Sequence, residues 1–323
     1  MKQVKTDFAG AFTAVAATGK TTGWAFDGQG YTSPPAAYRL SGGKWQREPF
    51  PSRKNEEVIT AAATSPTDVW AFTQGLSAPS RVLHYNGHAW SVVAKFTNTI
   101  ADATVLSSND VWVYGNIAIP HFQASLGVWH YNGSSWRQVS KTIQGGSALS
   151  ATNAWGFNGV DVEHWNGRGW IGTSVKSLLP HAVAGLNSPQ VVGVLALSPS
   201  SVYAIGNGTA QDEGGPLVVL HYNGRRWTRL ATGGFGYGPT PEISSDGGGG
   251  LWLPMNGPVG GTSHLVHYAA GRLAPASLPF SAPKITIVSV AHVPGTTQQL
   301  AGGYTHASGD RGTNVVAVLL KYS

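Results

Sequence analysis

HYNGRRW occupies residues 221–227, and close copies stand at 84–90 (HYNGHAW), 130–136 (HYNGSSW) and 164–170 (HWNGRGW). Each copy reads as the end of a strand, a tight Asn-Gly turn and the start of a returning strand, because such hairpins need positive φ at their turn residues. Four His-Tyr or His-Trp pairs also have the look of a ligand set. The histidines either carry chemistry or mark a repeated fold. Taking the His position as a marker, equivalent positions fall at Arg39, His84, His130, His164, His221, His267 and Lys321, with RLSGGKW (39–45) and HYAAGRL (267–273) as degraded copies. The intervals of 45, 46, 34, 57, 46 and 54 residues centre on the repeat length of a four-stranded blade.

A second marker precedes each of the first: TTGWAF (21–26), TDVWAF (67–72), NDVWVY (109–114), TNAWGF (152–157), SSVYAI (200–205), GGLWLP (249–254) and TQQLAG (297–302). A turn cluster leading into a short alternating run predicts a tight turn into a strand. Runs of small residues come before, such as VITAAATS (58–65). Each unit therefore reads as strand A (small residues), turn, strand B (DVWAF), loop, strand C (VLHY), Asn-Gly turn and strand D, which begins at Trp. Small residues suit the crowded inner strand, and large rings suit the widening gaps between blades. The expected fold is an all-β, seven-bladed β-propeller in one domain over 1–323. Its blades lie near 6–50, 51–96, 97–142, 143–176, 190–232, 240–280 and 283–323. The last repeat stops at Lys321-Tyr322-Ser323 without a strand D, while residues 1–5 align with the strand D that starts at Trp136. The N-terminal strand is expected to close the last blade and remove the sheet edges.

The unit D-V-W-A-F…H-Y-N-G-x-x-W resembles the kelch-like and galactose-oxidase central-domain group of propellers, and is similar to repeat propellers of exported bacterial proteins. The kelch double glycine is present only as Gly302-Gly303, and the Tyr–Cys cross-link of galactose oxidase is excluded in a chain with no Cys.

Composition narrows the function. Charged residues make up 11% of the chain, the net charge is +6, and Lys44, Arg47, Arg137, Arg168, Arg225, Arg226 and Arg272 recur at equivalent repeat positions. That is a thin basic ring rather than a concentrated patch, so no specific nucleic-acid partner is expected. The absence of Cys removes disulfide and thiolate chemistry. No apolar run approaches a membrane span, and no membrane insertion, cofactor or metal is expected. The chain is read as a monomer at the cell surface or outside it, with any export signal upstream of Met1 and removed.

In such a meander the A–B and C–D turns share one face, and here they are short. The B–C loops and two long D–A connections share the other face and differ from unit to unit, which is where function is expected. The repeating histidines lie far apart around a ring and read as structural. Among non-repeating residues, His121, His264 and His306 are placed in B–C loops and His181 in the insertion before the fifth unit. With Asp212, Glu213 or Asp310 they are weak candidates for an acid/base or metal set. Tyr31, Phe122, Phe235, Tyr237 and Tyr304, with Arg311, are the candidate binding residues. No catalytic motif is present, and strand A offers mostly Ala, Gly, Ser, Thr and Val, leaving the axial channel poorly equipped. The expected function is a non-catalytic recognition module, exported, that binds a glycan, peptide or protein through the B–C/D–A loop face. The alternative is a hydrolase or lyase using the loop His and carboxylates, and a third reading is a sensory or scaffold propeller cut from a larger surface protein.

Overall fold

The structure, a computed structural model, describes residues 2–5, 11–28, 34–75, 78–115, 126–181, 188–208, 215–235, 238–240, 242–259, 263–276, 285–306 and 315–322. The described chain is almost wholly strand, with a single 3-10 turn at Lys176–Leu178. After β1 (Lys2–Lys5) come five four-stranded antiparallel meanders. The first is β2 (Ala11–Gly19), β3 (Thr22–Gly28), β4 (Ala36–Ser41) and β5 (Lys44–Glu48). The second is β6 (Glu56–Ser65), β7 (Asp68–Gly75), β8 (Ser80–Tyr85) and β9 (Trp90–Phe96). The third is β10 (Asp102–Ser107), β11 (Asp110–Gly115), β12 (Gly127–Tyr131) and β13 (Trp136–Ser140). The fourth is β14 (Gly145–Ser150), β15 (Asn153–Asn158), β16 (Asp161–Trp165) and β17 (Trp170–Ser174). The fifth is β18 (Gln190–Ser198), β19 (Ser201–Asn207), β20 (Pro216–Tyr222) and β21 (Trp227–Gly234).

The sixth sheet has eight strands: β22 (Ser244–Ser245), β23 (Leu251–Val259), β24 (Ser263–Ala269), β25 (Arg272–Pro275), β26 (Ile285–His292), β27 (Gln299–His306) and β28 (Val315–Tyr322), joined by β1. The protein is thus a β-propeller of four-stranded antiparallel blades with six sheets, not the seven separate blades that the repeat predicts. The difference has one cause: a single parallel pairing, Ser263 with Ile285, ties β24 to β26. Strand β1 pairs antiparallel with β28, Lys2 opposite Lys321, so the N-terminal strand does complete this last sheet.

Aromatic rings fill the gaps between sheets. Trp24, Trp70, Trp112 and Trp252, all on second strands, are fully buried. Trp90 of the second sheet meets Trp24 and Phe26 of the first edge-on, at ring-centre distances of 5.3 and 5.6 Å, and Trp227 of the fifth meets Trp155 of the fourth at 6.0 Å. Edge-to-face contacts add to the area that such rings bury.

The repeating histidines belong to this framework. His84, His130 and His267 hydrogen-bond through Nε2 to Asp68, Asp110 and Asp246 at 2.7, 2.8 and 2.9 Å. In the fourth and fifth sheets Asn153 and Ser201 take the carboxylate's place, each 3.1 Å from the ring of His164 and His221. Each imidazole also lies against the second-strand ring of its own blade, with His84 on Trp70 and His130 on Trp112 both at 4.2 Å. Indole N–H groups of Trp70 and Trp112 donate to the same Asp68 and Asp110. A strand C residue is thereby clipped to the A–B turn of its blade.

The Asn-Gly turns differ from expectation in one respect. Only the Gly takes positive φ, +92° at Gly87 and +88° at Gly133. The Asn acts through its side chain, as Asn86 Oδ1 accepts from the backbone N–H of His88 and Ala89 at 3.0 and 3.1 Å, an Asx arrangement. A Cβ at Gly133 would lie 2.9 Å from Asn109 of the A–B turn, so the two short turns of a blade touch. They share one face, and the longer connections share the other.

Candidate functional site

Most of the predicted site residues lie outside the described residues: His121, Asp212, Glu213 and Asp310 of the catalytic candidates, and Tyr31, Phe122, Tyr237 and Arg311 of the binding candidates. His264 and His306 fall within strands β24 and β27 rather than in loops. Tyr304 likewise belongs to β27, opposite Thr286 and Ala317, because that strand runs further than the turn-rich sequence GGYTH suggests. Phe235 is half-buried and packs with Leu195, Ile243 and Leu273 against the core around Leu251 and Tyr268, so it pins its connection to the body. Among the described residues no three His, Asp or Glu side chains converge as a metal set.

His181 is placed where a ligand can reach it. It is exposed and lines an open groove of about 900 Å³ together with Val160, Lys176, Leu179, Pro180 and Pro189, among others. The groove follows the long connection between the fourth and fifth sheets, on the loop face. Its floor is held firmly. Val175 N–H donates to Val160 O at 3.0 Å, and Val191 N–H to Gly159 O at 2.8 Å. Arg229 of β21 donates from Nε and Nη2 to the carbonyls of Leu178 and Leu179 at 2.8 and 2.9 Å. Leu179 is buried in the core between the two sheets. Lys176 and His181 therefore stand on a fixed wall, with apolar and proline side chains beside them and serine hydroxyls at 174, 177 and 188.

A second cavity, of about 170 Å³, occupies the axial channel. Register shows its level. Ala14, Thr60, Asp102, Gly145 and Gly193 face Phe26, Phe72, Tyr114, Phe157 and Ile205, the corresponding residues of successive second strands. Ser289 faces Gly302, and Glu242 stands two residues before Ser244, which faces Trp252. Thr60, Asp102, Glu242 and Ser289 are thus the polar members of one inner tier. Asp102 opens β10, so the tier lies at the loop-face end of the channel.

Two carboxyls share this space. Burial pushes Asp102 up to about 7, against partial relief from the backbone N–H groups of Ala103 and Gly146. Burial pushes Glu242 up to about 8; the Ser289 hydroxyl and Val290 N–H oppose the rise, and the Asp102 charge adds to it. Ser289 Oγ donates to Glu242 Oε1 at 2.8 Å and accepts from Val15 N at 3.0 Å, linking three inner segments. Burial, with the Asp102 charge next, holds the Tyr114 phenol well above its usual range. This corrects the expectation of an ill-equipped channel. The available signal was one acid in each of two otherwise uncharged inner runs, ADATVLS (101–107) and PEISS (241–245).

Fold and site together define a β-propeller with an open groove on its loop face and an acidic axial tier. No protein-family model matches the chain, and no curated protein matches it. Among solved structures, it is similar to YCF48 bound to D1 peptide, with 12% identity and a TM-score of 0.59 over 98% of this chain and 95% of the other. YCF48 from Cyanidioschyzon merolae aligns with 14% identity and a TM-score of 0.60 over 99% and 98% of the two chains. A protein from Lactobacillus plantarum aligns with 13% identity and a TM-score of 0.54 over 82% and 84%. At these identities the likeness is one of fold.

Proposed function

We propose that the chain is a non-catalytic recognition module that binds a peptide segment of a partner protein in the loop-face groove. The observation that carries this reading is the groove itself, about 900 Å³ in volume and walled by Lys176, His181, Leu179, Pro180 and Pro189. That size suits a ligand of several residues. Its mixture of a cation, serines and prolines suits an extended acidic or polar peptide, and among the described residues no aromatic ring lines it as a platform for a sugar face. The likeness in fold to a propeller that holds a peptide is consistent with this use. We further read the eight-stranded sheet as two blade equivalents, which makes seven in all, since seven inner segments line the axial cavity. Export to the cell surface and kinship with kelch-like repeats complete the proposal.

The test is parallel probing of a peptide array and a glycan array with the purified chain and with Lys176→Glu. Capture of peptides, weakened by roughly tenfold in the variant through one lost charge contact, is the expected result. Capture of glycans alone, or peptide capture indifferent to Lys176→Glu, contradicts it.

A further inference from the structure

The axial tier combines features that neither the fold nor the groove requires. The cavity is bounded by inner segments of every sheet, and the carboxyls of Asp102 and Glu242 both line it. No Lys, Arg or His among the described residues lines it to balance them. Thr60 and Ser147 also line it; they are 8% and 7% exposed, and neither hydroxyl has a hydrogen-bond partner among the described residues. Both residues border the polar cavity, so each hydroxyl can offer an oxygen lone pair to an occupant held beside the two carboxyls. Their inter-segment counterparts are satisfied: Thr13 Oγ1 donates to Val58 O at 2.6 Å, and Thr104 Oγ1 accepts from Ala148 N at 3.3 Å.

We infer that this tier is a binding site for a single hard metal cation, held by the Asp102 and Glu242 carboxylates with Thr60, Ser147 and water completing its shell. The donors are all oxygens, the set that selects hard cations over zinc or copper. An organic ammonium ion is disfavoured because such ligands are caged by aromatic faces, and among the described residues no aromatic side chain lines the cavity. The cavity has room for an ion and several waters, each needing roughly 30 Å³. Calcium fits better than magnesium. Ligands arriving from separate strands, with water between, meet its tolerant 6–8 coordination more readily than a strict octahedron. Binding ionises both carboxyls against the ion's charge and joins strands from separate sheets across the axis.

The experiment is calorimetric titration of chelator-treated protein with calcium chloride and, separately, magnesium chloride, alongside thermal melts. Wild type is expected to bind a single calcium ion per chain, with weaker magnesium binding, and to melt at higher temperature in calcium. Asp102→Asn and Glu242→Gln each lower calcium affinity by more than roughly tenfold, and the double variant loses the melting shift. Thr60→Val supplies a variant of unchanged charge whose calcium affinity falls while its chelated melting temperature stays near wild type. No heat of binding at millimolar calcium, or a melting shift as large in the double variant as in wild type, overturns the inference.

Discussion

At the scale of single residues, two buried ionic arrangements behave oppositely. Glu56 and Arg81, 1% and 4% exposed, form an ion pair in which Arg81 Nε donates to Glu56 Oε1 at 2.7 Å. Thr73 and Arg53 add bonds to Oε1 at 2.8 and 3.0 Å, and Arg81 Nη2 donates to Pro51 O. Burial alone would raise the Glu56 carboxyl, but its bonds to Arg81 and Thr73 and the Arg81 charge hold it below the usual value. Arg81→Met strands a buried carboxylate and is expected to cost about 3–5 kcal/mol in chemical denaturation. A loss below about 1 kcal/mol would place the pair with weak surface bridges instead. The axial carboxyls are raised, so the sign reverses. Folded Asp102 and Glu242, at about 7 and about 8, hold protons that the unfolded chain releases near 3.8 and 4.5. Their contribution to stability is fully present below those lower values and is lost as pH rises through 7 to 8. In chelator, Asp102→Asn should match wild type near pH 4 and exceed it by about 1–3 kcal/mol near pH 9. Parallel stability–pH curves for the two proteins would refute this account.

At the scale of elements, the repeat unit works because its side chains close its own turns. Tyr131 OH donates to Gly133 O at 2.8 Å, Asn132 Oδ1 accepts from Ser134 and Ser135 N–H, and His130 reaches Asp110 on the adjoining turn. Gly133→Ala forces a φ of +88° on a residue with a Cβ and drives that atom onto Asn109. The expected cost is about 1–2 kcal/mol, read as a lower melting temperature; an unchanged one would mean that the turns move apart freely. These elements were legible because period, Asn-Gly and the ring residues recur, and each recurrence has a local cause. The merged sheet was not legible. It depends on the single pairing of Ser263 with Ile285, which no local pattern announces. Asp102 and Glu242 escaped for a related reason: a lone acid in a run of small residues gains meaning only when register and ring closure set two such runs on one tier. His181 was legible as a member of a long insertion, whereas the groove around it comes from Arg229, a residue about fifty positions away that clamps Leu178 and Leu179.

At the scale of the molecule, the two faces divide the work. Short turns, locked to each other by histidine clips and glycine contacts, form one face and leave little to vary. The other carries the longer connections, the groove beside Lys176 and His181, and the acidic end of the axial channel. A rigid ring presenting variable connections is a platform for recognition. The carboxyl pair has the raised values of acid–base groups, yet it sits in about 170 Å³ bounded by strands, too little for a polymeric substrate. On the proposed reading, the groove receives the ligand. Hydrogen exchange measured with and without a peptide selected on the array tests it most directly. Slowed exchange is expected at residues 174–181 and 188–191, with the short-turn face at 86–89 and 132–135 unchanged. Protection confined to the short-turn face, or to the inner strands around Asp102, would contradict it.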